Sequence, residues 1–221
     1  MWFFTIILTV AYAQKPVNQF DRDGKRHGIW MKNYHETDQP RYKGQFVHGK
    51  EVDTFKYYTL KQGKSVLSAT KVFNLASDEA QVKFYASSGS LISEGQMEGK
   101  NYVGRWVFYH NNSQQIMIEE YYNSNGKLQG QRKVFYKNRQ LAESTHYSAG
   151  ELEGSSKIYG ENGRLIKEVY YEGNQLEGPA RYYDGSGAIK EEGTYHENRK
   201  SGIWKYYKNG ELHKTINHSK N

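Results

Sequence analysis

Large apolar and aromatic side chains recur along this chain at short intervals and alternate with polar residues. From Gly154 to Gly202 the pattern is two copies of one 24-residue unit, GSSKIYGENGRLIKEVYYEGNQLE and GPARYYDGSGAIKEEGTYHENRKS. A further copy begins with GIWKYYKNGEL at Gly202. Self-similarity at this period predicts a repeat array in which each unit is one supersecondary element.

Each unit opens on a small residue and carries an aromatic residue five or six places later. The openings are spaced 24 to 27 residues apart and are Gly28, Asp53, Ala80, Gly104, Gly130, Gly154, Gly178 and Gly202. The aromatic residues that follow are Tyr34, Tyr58, Tyr85, Tyr109, Phe135, Tyr159, Tyr183 and Tyr207. We refer to the last seven as the fifth-place column.

A second segment in each unit starts on an aliphatic residue and ends on a large residue six places later, as in Leu91/Met97 and Leu165/Tyr171. An even spacing puts both ends on one face of a strand, which favours strand over helix. Asn-Gly pairs, such as Asn162-Gly163, favour tight turns between the two segments. The pattern therefore predicts a β-hairpin repeated about eight times.

The first strand of each unit predicts two different faces. Large apolar residues alternate with a basic residue, and a glutamate often follows that basic residue eleven places later, as in Lys83/Glu94, Lys157/Glu168 and Arg181/Glu192. Across a tight hairpin this offset makes the two side chains neighbours, so we expect a cross-strand ladder of ion pairs. We expect the fifth-place tyrosines on the opposite face.

The run Gly-x-Trp-x-x-Tyr, Asn-Gly-x-Leu and Tyr-x-x-Gly, seen in GIWKYYKNGEL and IYGENGRLIKEVYYEGNQLEG, resembles MORN repeats, in particular the bacterial variant of YwqK-family antitoxin proteins. The likeness extends from Asp21 to Leu212 and is weakest where Asp53 and Ala80 replace the opening glycine. It implies an all-β fold: an elongated single-layer antiparallel sheet of about eight consecutive hairpins. Choline-type cell-wall-binding repeats are the rival, but their shorter period and more frequent tryptophan fit less well.

Composition supports short strands joined by glycine turns. The chain has 221 residues, of which 36% are hydrophobic, 22 are glycine and 20 are tyrosine. The absence of cysteine excludes disulfides, thiolate metal sites and cysteine nucleophiles. The net charge of +7 is spread along the chain, so no nucleic-acid partner is expected.

The chain divides into four segments in this interpretation. Residues 1–13, MWFFTIILTVAYA, resemble a signal peptide because an apolar run ends in a small-x-small pattern, although no basic residue precedes the run. A leader follows at 14–27, the repeat array spans 28–212, and a polar tail occupies 213–221. A functional signal peptide predicts an exported protein, periplasmic, outer-surface or secreted; without it the protein is expected to be cytoplasmic.

No constellation of catalytic, cofactor-binding or metal-binding residues emerges from the sequence. The eight histidines include no two-histidine helical pair. Glu119-Glu120 and Glu191-Glu192 are adjacent strand residues, which point to opposite faces and cannot act on one bond. We therefore expect no enzymatic activity, no cofactor and no metal.

The aromatic side chains are the remaining candidates for function. They either stack between neighbouring repeats or form a platform for a partner, since tyrosine and tryptophan are favoured at protein interfaces. The candidate residues are Trp30, Trp106, Tyr109, Tyr159, Tyr183, Trp204 and Tyr207. The first hypothesis is a protein-binding scaffold, antitoxin-like by resemblance. The alternative is an exported envelope module that binds glycans or lipid headgroups weakly through this face.

Overall fold

The structure, a computed structural model, describes residues 16–73 and 75–220. Its strands are β1 Gln19–Phe20, β2 Arg26–Asn33, β3 Pro40–Val47, β4 Lys50–Lys61, β5 Lys64–Phe73, β6 Glu79–Tyr85, β7 Leu91–Glu98, β8 Asn101–Tyr109 and β9 Ile116–Tyr122. They continue as β10 Gly130–Phe135, β11 Leu141–Ser148, β12 Glu151–Tyr159, β13 Leu165–Glu172, β14 Gln175–Leu176, β15 Gly178–Tyr183, β16 Ile189–His196, β17 Arg199–Lys208 and β18 Glu211–Asn217. One turn of 3-10 helix, His218–Lys220, follows.

The strands form one open antiparallel sheet. Each strand pairs with the next along the chain, except that β13 pairs with both the short β14 and β15. Eight hairpins result, and the predicted all-β, single-layer sheet of consecutive hairpins is confirmed. The region predicted as a leader, 14–27, contains β1 and the start of β2, and β18 includes residues to Asn217. The candidate signal peptide lies outside the described residues.

Every hairpin contains one unpaired residue in its second strand. Tyr85 lies opposite Leu91 although its neighbour Phe84 lies opposite Ser93, so one residue of β7 has no partner. The same shift occurs in the other seven hairpins. An extra residue transfers the side chains beyond it to the other face. The prediction that Leu91 and Met97 share a face is therefore wrong.

One face of the sheet, the charged face, carries the predicted ion pairs. Lys83 Nζ lies 2.9 Å from Glu94 Oε2, which confirms the expected pairing across the hairpin. The other two predicted pairs are also formed, at 3.0 Å for Lys157–Glu168 and 3.3 Å for Arg181–Glu192. Because most of these side chains are half exposed, we assign each pair no more than about 1 kcal/mol.

The opposite surface, the aromatic face, contains most of the buried side chains, and in two hairpins a tryptophan lies directly over a glycine of the preceding strand. A Cβ added at Gly95 would lie closer than 3.0 Å to three ring atoms of Trp106, and one at Gly193 would meet Trp204 in the same way. Both indoles are 0% exposed. A single layer can bury so large a ring because the glycine leaves room for it against the backbone.

Each of these two rings is also covered from the solvent side. Tyr102 stacks on Trp106 with ring centroids 3.7 Å apart, whereas Lys200 Nζ lies 3.7 Å from the ring centre of Trp204. The indole N–H groups donate to backbone oxygens, that of Gln96 at 2.7 Å and that of Thr194 at 3.0 Å. The two rings therefore anchor separate hydrophobic clusters, one around β6–β9 and one around β13–β17.

Between the two clusters, the aromatic face is polar. Arg132 Nε donates to Glu120 Oε1 at 2.8 Å and Arg132 Nη1 donates to Glu143 Oε1 at 3.1 Å. The next pair of strands places the buried hydroxyls of Thr145 and Ser156 2.9 Å apart. The backbone pairing of the repeat is thus the same in this region, but a hydrogen-bonded network takes the place of the tryptophan–glycine contact.

The opening residue of most units lies at a bulge where the chain returns to the next hairpin. Seven of the eight openings have positive φ, and all of these are glycine except Asp53, whose φ is 57°. The exception to positive φ is Ala80, which lies in the regular ladder between β5 and β6. The two departures from the repeat motif therefore differ: Ala80 follows a return without a bulge, whereas Asp53 is held in a conformation that favours glycine.

Replacing Asp53 with glycine is expected to raise the free energy of unfolding by about 1 kcal/mol. A non-glycine residue in the left-handed region costs roughly 1–3 kcal/mol, and the added freedom of glycine in the unfolded chain offsets part of the gain. Urea unfolding of the purified protein measures the change. Gly104→Asp, at the corresponding bulge with φ of 63°, is the matched reverse substitution and is expected to destabilise. A destabilised Asp53→Gly protein would show that the aspartate makes a compensating contact.

Candidate functional site

Two adjacent depressions open on the charged face beside the hairpin turns of β6–β11. The larger has a volume of about 610 Å³ and is lined by Tyr85, Gly89, Ser90, Leu91, Glu94, Tyr109, Asn112, Ser113 and Gln114. The smaller, about 460 Å³, is lined by Gln114, Gln115, Ile116, Glu119, Phe135 and Arg139. They meet at Gln114, and we call them together the Gln114 groove.

Irregularities in the fourth hairpin accompany the groove. The loop 110–115 between β8 and β9 is one residue longer than the loops 86–90 and 136–140 on either side of it. Its polar residues, including the exposed Gln114, extend over the charged face. The return to β10 is also long, spanning 123–129. These insertions open a surface that regular repeats would keep flat.

Tyr109 is the predicted candidate that the structure places inside the groove. Its hydroxyl donates to Glu94, which is also the partner of Lys83. Burial and this hydrogen bond raise the pKa of the Tyr109 hydroxyl to about 12. The same hydrogen bond and then Lys83 lower the pKa of the Glu94 carboxyl. At neutral pH the constellation is therefore a neutral hydroxyl, an anionic carboxylate and a cation in fixed geometry.

The smaller depression combines an apolar floor with polar walls. Ile116 and Phe135 supply the floor, and Phe135 is the fifth-place residue that lacks a hydroxyl. Glu119 accepts a hydrogen bond from Arg105 Nε at 2.5 Å, which neutralises its charge locally. Arg139 is exposed at the rim, and no ion pair is formed by its guanidinium within the described part of the chain. Such a surface can bind an apolar group flanked by hydrogen-bonding or anionic groups.

The other fifth-place candidates lie on the charged face outside the groove. The Tyr207 hydroxyl donates to Glu192 at 2.8 Å and thereby repeats the arrangement of Tyr109 and Glu94. Because this carboxylate is also the partner of Arg181, the column lies beside the ion pairs and not opposite them, contrary to expectation. The physical cause is the fixed alternation of the first strand. The half-buried Tyr159 and Tyr183 occupy the corresponding positions of the sixth and seventh hairpins.

The three tryptophan candidates are on the other face, and two of them are inaccessible. Trp106 and Trp204 are fully buried, so they cannot contact a partner in this structure, and we remove them from the binding surface. Trp30 is half buried near the first edge of the sheet. The rings of Phe20 and Trp30 lie nearly perpendicular with centroids 5.1 Å apart, and the Trp30 indole N–H donates to the Gln19 backbone oxygen at 3.0 Å. Aromatic candidates are therefore divided between the two faces.

One group of side chains could hold a metal ion among the residues that the structure describes. Asp21, His27 and His48 each offer a ligand atom, and these atoms lie within 4.8 Å of one another. The three residues come from the turn after β1, from β2 and from the turn between β3 and β4. These three residues share no repeat period and include no histidine pair at helical spacing, so the sequence pattern does not indicate the group.

No helix within residues 16–73 and 75–220 is long and apolar enough to cross a membrane.

Part of the chain is similar to a known repeat family. The family model described as "MORN repeat variant" matches residues 152–172 and 176–197. No curated protein matches the chain significantly. The matched segments cover most of β12–β13 and of β14–β16, which are the sixth and seventh hairpins. Residues 152–172 and 176–197 are therefore similar to the variant MORN repeat, and the other hairpins repeat their register along one sheet.

Proposed function

We propose that this protein is a non-enzymatic scaffold that binds another protein through the Gln114 groove. The similarity of residues 152–172 and 176–197 to MORN repeats favours a repeat-containing module of the binding type. The proposal rests on the groove, which has an apolar floor, carboxylates neutralised by basic partners, and an exposed arginine. The sheet that carries it is a single layer within the described residues. A reaction that must exclude water would require an enclosed site, which an open single-layer sheet provides poorly.

The large exposed surface of the chain also favours a scaffold. The accessible surface is 15368 Å², whereas a compact monomer of 25.7 kDa exposes roughly 10,400 Å² by the size scaling of globular proteins. Standard protein interfaces bury about 800 Å² per partner. The charged face therefore has room for a partner that covers several hairpins and inserts an apolar side chain over Ile116 and Phe135.

A narrower form of this proposal is an antitoxin-like role, in which binding neutralises the activity of the partner. It rests on the resemblance to YwqK-family proteins alone. If Met1–Ala13 directs export, a partner in the cytosol could not be reached, and the neutralised protein would act in the envelope or outside the cell. Fractionation of the source cells followed by immunodetection of this protein determines which compartment to examine.

Capture of partners from envelope and cytosolic fractions tests the proposal. The full-length protein is expected to retain a partner. The Arg139→Glu variant, changed at the groove rim, is expected to retain at least about tenfold less of it, because the new negative charge repels anionic or carbonyl groups of the partner. Lys208→Glu, an equal charge reversal at the tip of the last hairpin, is the control and should retain the partner. Equal capture by both variants would contradict the groove. Binding of glycans or anionic vesicles, with no protein retained, would contradict the scaffold itself.

A further inference from the structure

We infer that Asp21, His27 and His48 form a binding site for a divalent transition metal of the zinc class at the first edge of the sheet. The inference is independent of the proposed protein binding, because the site lies at the start of the first hairpin while the groove lies beside the third to fifth hairpins. Two imidazoles and one carboxylate are a ligand set that suits Zn²⁺ and related ions.

The potential ligand atoms of the three side chains already lie close together. His48 Nδ1 lies 2.7 Å from Asp21 Oδ2, and the rings of His27 and His48 have centroids 5.1 Å apart. Tetrahedral zinc with bonds of about 2.0–2.1 Å requires ligand atoms about 3.3 Å apart. Rotation of the exposed imidazole side chains by about 1.5 Å would close the present spread of up to 4.8 Å without moving the strands.

The carboxylate is oriented for this role by the backbone. Asp21 Oδ1 accepts hydrogen bonds from the N–H of Asp23 at 3.0 Å and of Lys25 at 2.8 Å, and so Oδ2 is turned toward His48. Hydrogen bonds that fix a ligating oxygen in this way raise metal affinity.

The same contacts could instead serve only as a hydrogen bond between Asp21 and His48. A hydrogen bond between Asp21 and His48 would not require a third side chain. His27 nevertheless lies beside the pair, with its Nδ1 3.5 Å from the backbone nitrogen of His48. A bound ion would join the turn after β1 to the turn between β3 and β4. It would thereby fasten the short terminal strand β1 to the sheet, where an edge needs protection from pairing with other chains.

Cobalt substitution of the untagged full-length protein tests the site. After treatment with a chelator, one equivalent of Co²⁺ is expected to bind and to give the intense visible absorption of tetrahedral cobalt, which one equivalent of Zn²⁺ should abolish. His27→Gln is expected to weaken binding by at least about tenfold, because it removes a ligand while leaving the Asp21–His48 pair intact. All three residues are at the protein surface or near it, so folding in chelator should be unchanged.

His213→Gln, in the strand at the opposite edge, is the matched control and should bind cobalt as the unchanged protein does. Absence of a tetrahedral spectrum at millimolar Co²⁺ would overturn the inference. Cobalt binding that persists unchanged in His27→Gln would overturn it as well, since the ion would then be held elsewhere. A loss of stability in His48→Gln without any metal binding would identify the pair as a hydrogen bond alone.

Discussion

Alanine at Gly95 or at Gly193 is expected to lower the free energy of unfolding by about 2–3 kcal/mol. The added methyl would lie closer than 3.0 Å to three ring atoms of Trp106 or Trp204, and both rings are fully buried. The ring must therefore move away from the backbone, which exposes it and disturbs the group that covers it. Neither glycine has positive φ, so the effect is steric and not conformational.

Urea unfolding followed by tryptophan fluorescence measures this change, since the displaced ring is also the reporter. Gly185→Ala is the matched control: this glycine also lacks positive φ, and an added Cβ would meet nothing within 4 Å. We expect it to change stability by no more than about 0.5 kcal/mol. If Gly95→Ala behaved like Gly185→Ala, ring-on-glycine packing would not be what holds the cluster together.

Replacing Arg132 with methionine is expected to cost about 3 kcal/mol, because it leaves Glu120 and Glu143 without their shared partner. The Glu120 residue is only 8% exposed, so water cannot replace the guanidinium there. Adding Glu120→Gln to this variant removes a buried charge that then has no cationic partner and keeps only the Tyr122 hydrogen bond, so it is expected to recover at least about 1 kcal/mol. Chemical unfolding of the single and double variants measures both effects.

The charged face offers a matched arginine–glutamate pair as a control. Arg181 lies 3.3 Å from Glu192, but its side chain is 53% exposed. Arg181→Met should therefore change stability by only about 0.5 kcal/mol. Equal losses for Arg132→Met and Arg181→Met would mean that burial of the central network contributes little. Failure of Glu120→Gln to improve Arg132→Met would mean that the lost stability came from the packing of the arginine side chain.

Only part of the Gln114 groove can be predicted from the repeat pattern of the sequence. Tyr109 was recognised because it belongs to a column that recurs in every unit after the first. Gln114 and Arg139 belong to loops, where no periodicity marks a residue, and their role depends on how far the 110–115 loop extends over the sheet. A departure from the period, the 26 residues between Gly104 and Gly130, was the signal in the sequence that could have located it.

The burial of Trp106 and Trp204 also has a signal in the sequence, namely a glycine at a fixed interval before each tryptophan. Gly95 precedes Trp106 by eleven residues, and Gly193 precedes Trp204 by the same interval. The interval equals that of the Lys–Glu pairs, but it spans the return to the next hairpin and not the tight turn, where a register shift also brings the two residues side by side. Without the contact to Gly95 and Gly193, the two indoles remain candidates for an exposed platform.

The sequence by itself determined the hairpin repeat, the sheet of eight such units and the cross-strand ion pairs, because these follow from periodicity between residues close in the chain. Only the tertiary structure decided on which face the second strand of each hairpin begins, since one unpaired residue there reverses the alternation expected from even spacing. Only the structure brings Asp21, His27 and His48 together, because contacts between separate turns leave no period in the sequence. The regular part of this protein is therefore readable from its repeats, and its candidate sites lie where the repeats are interrupted.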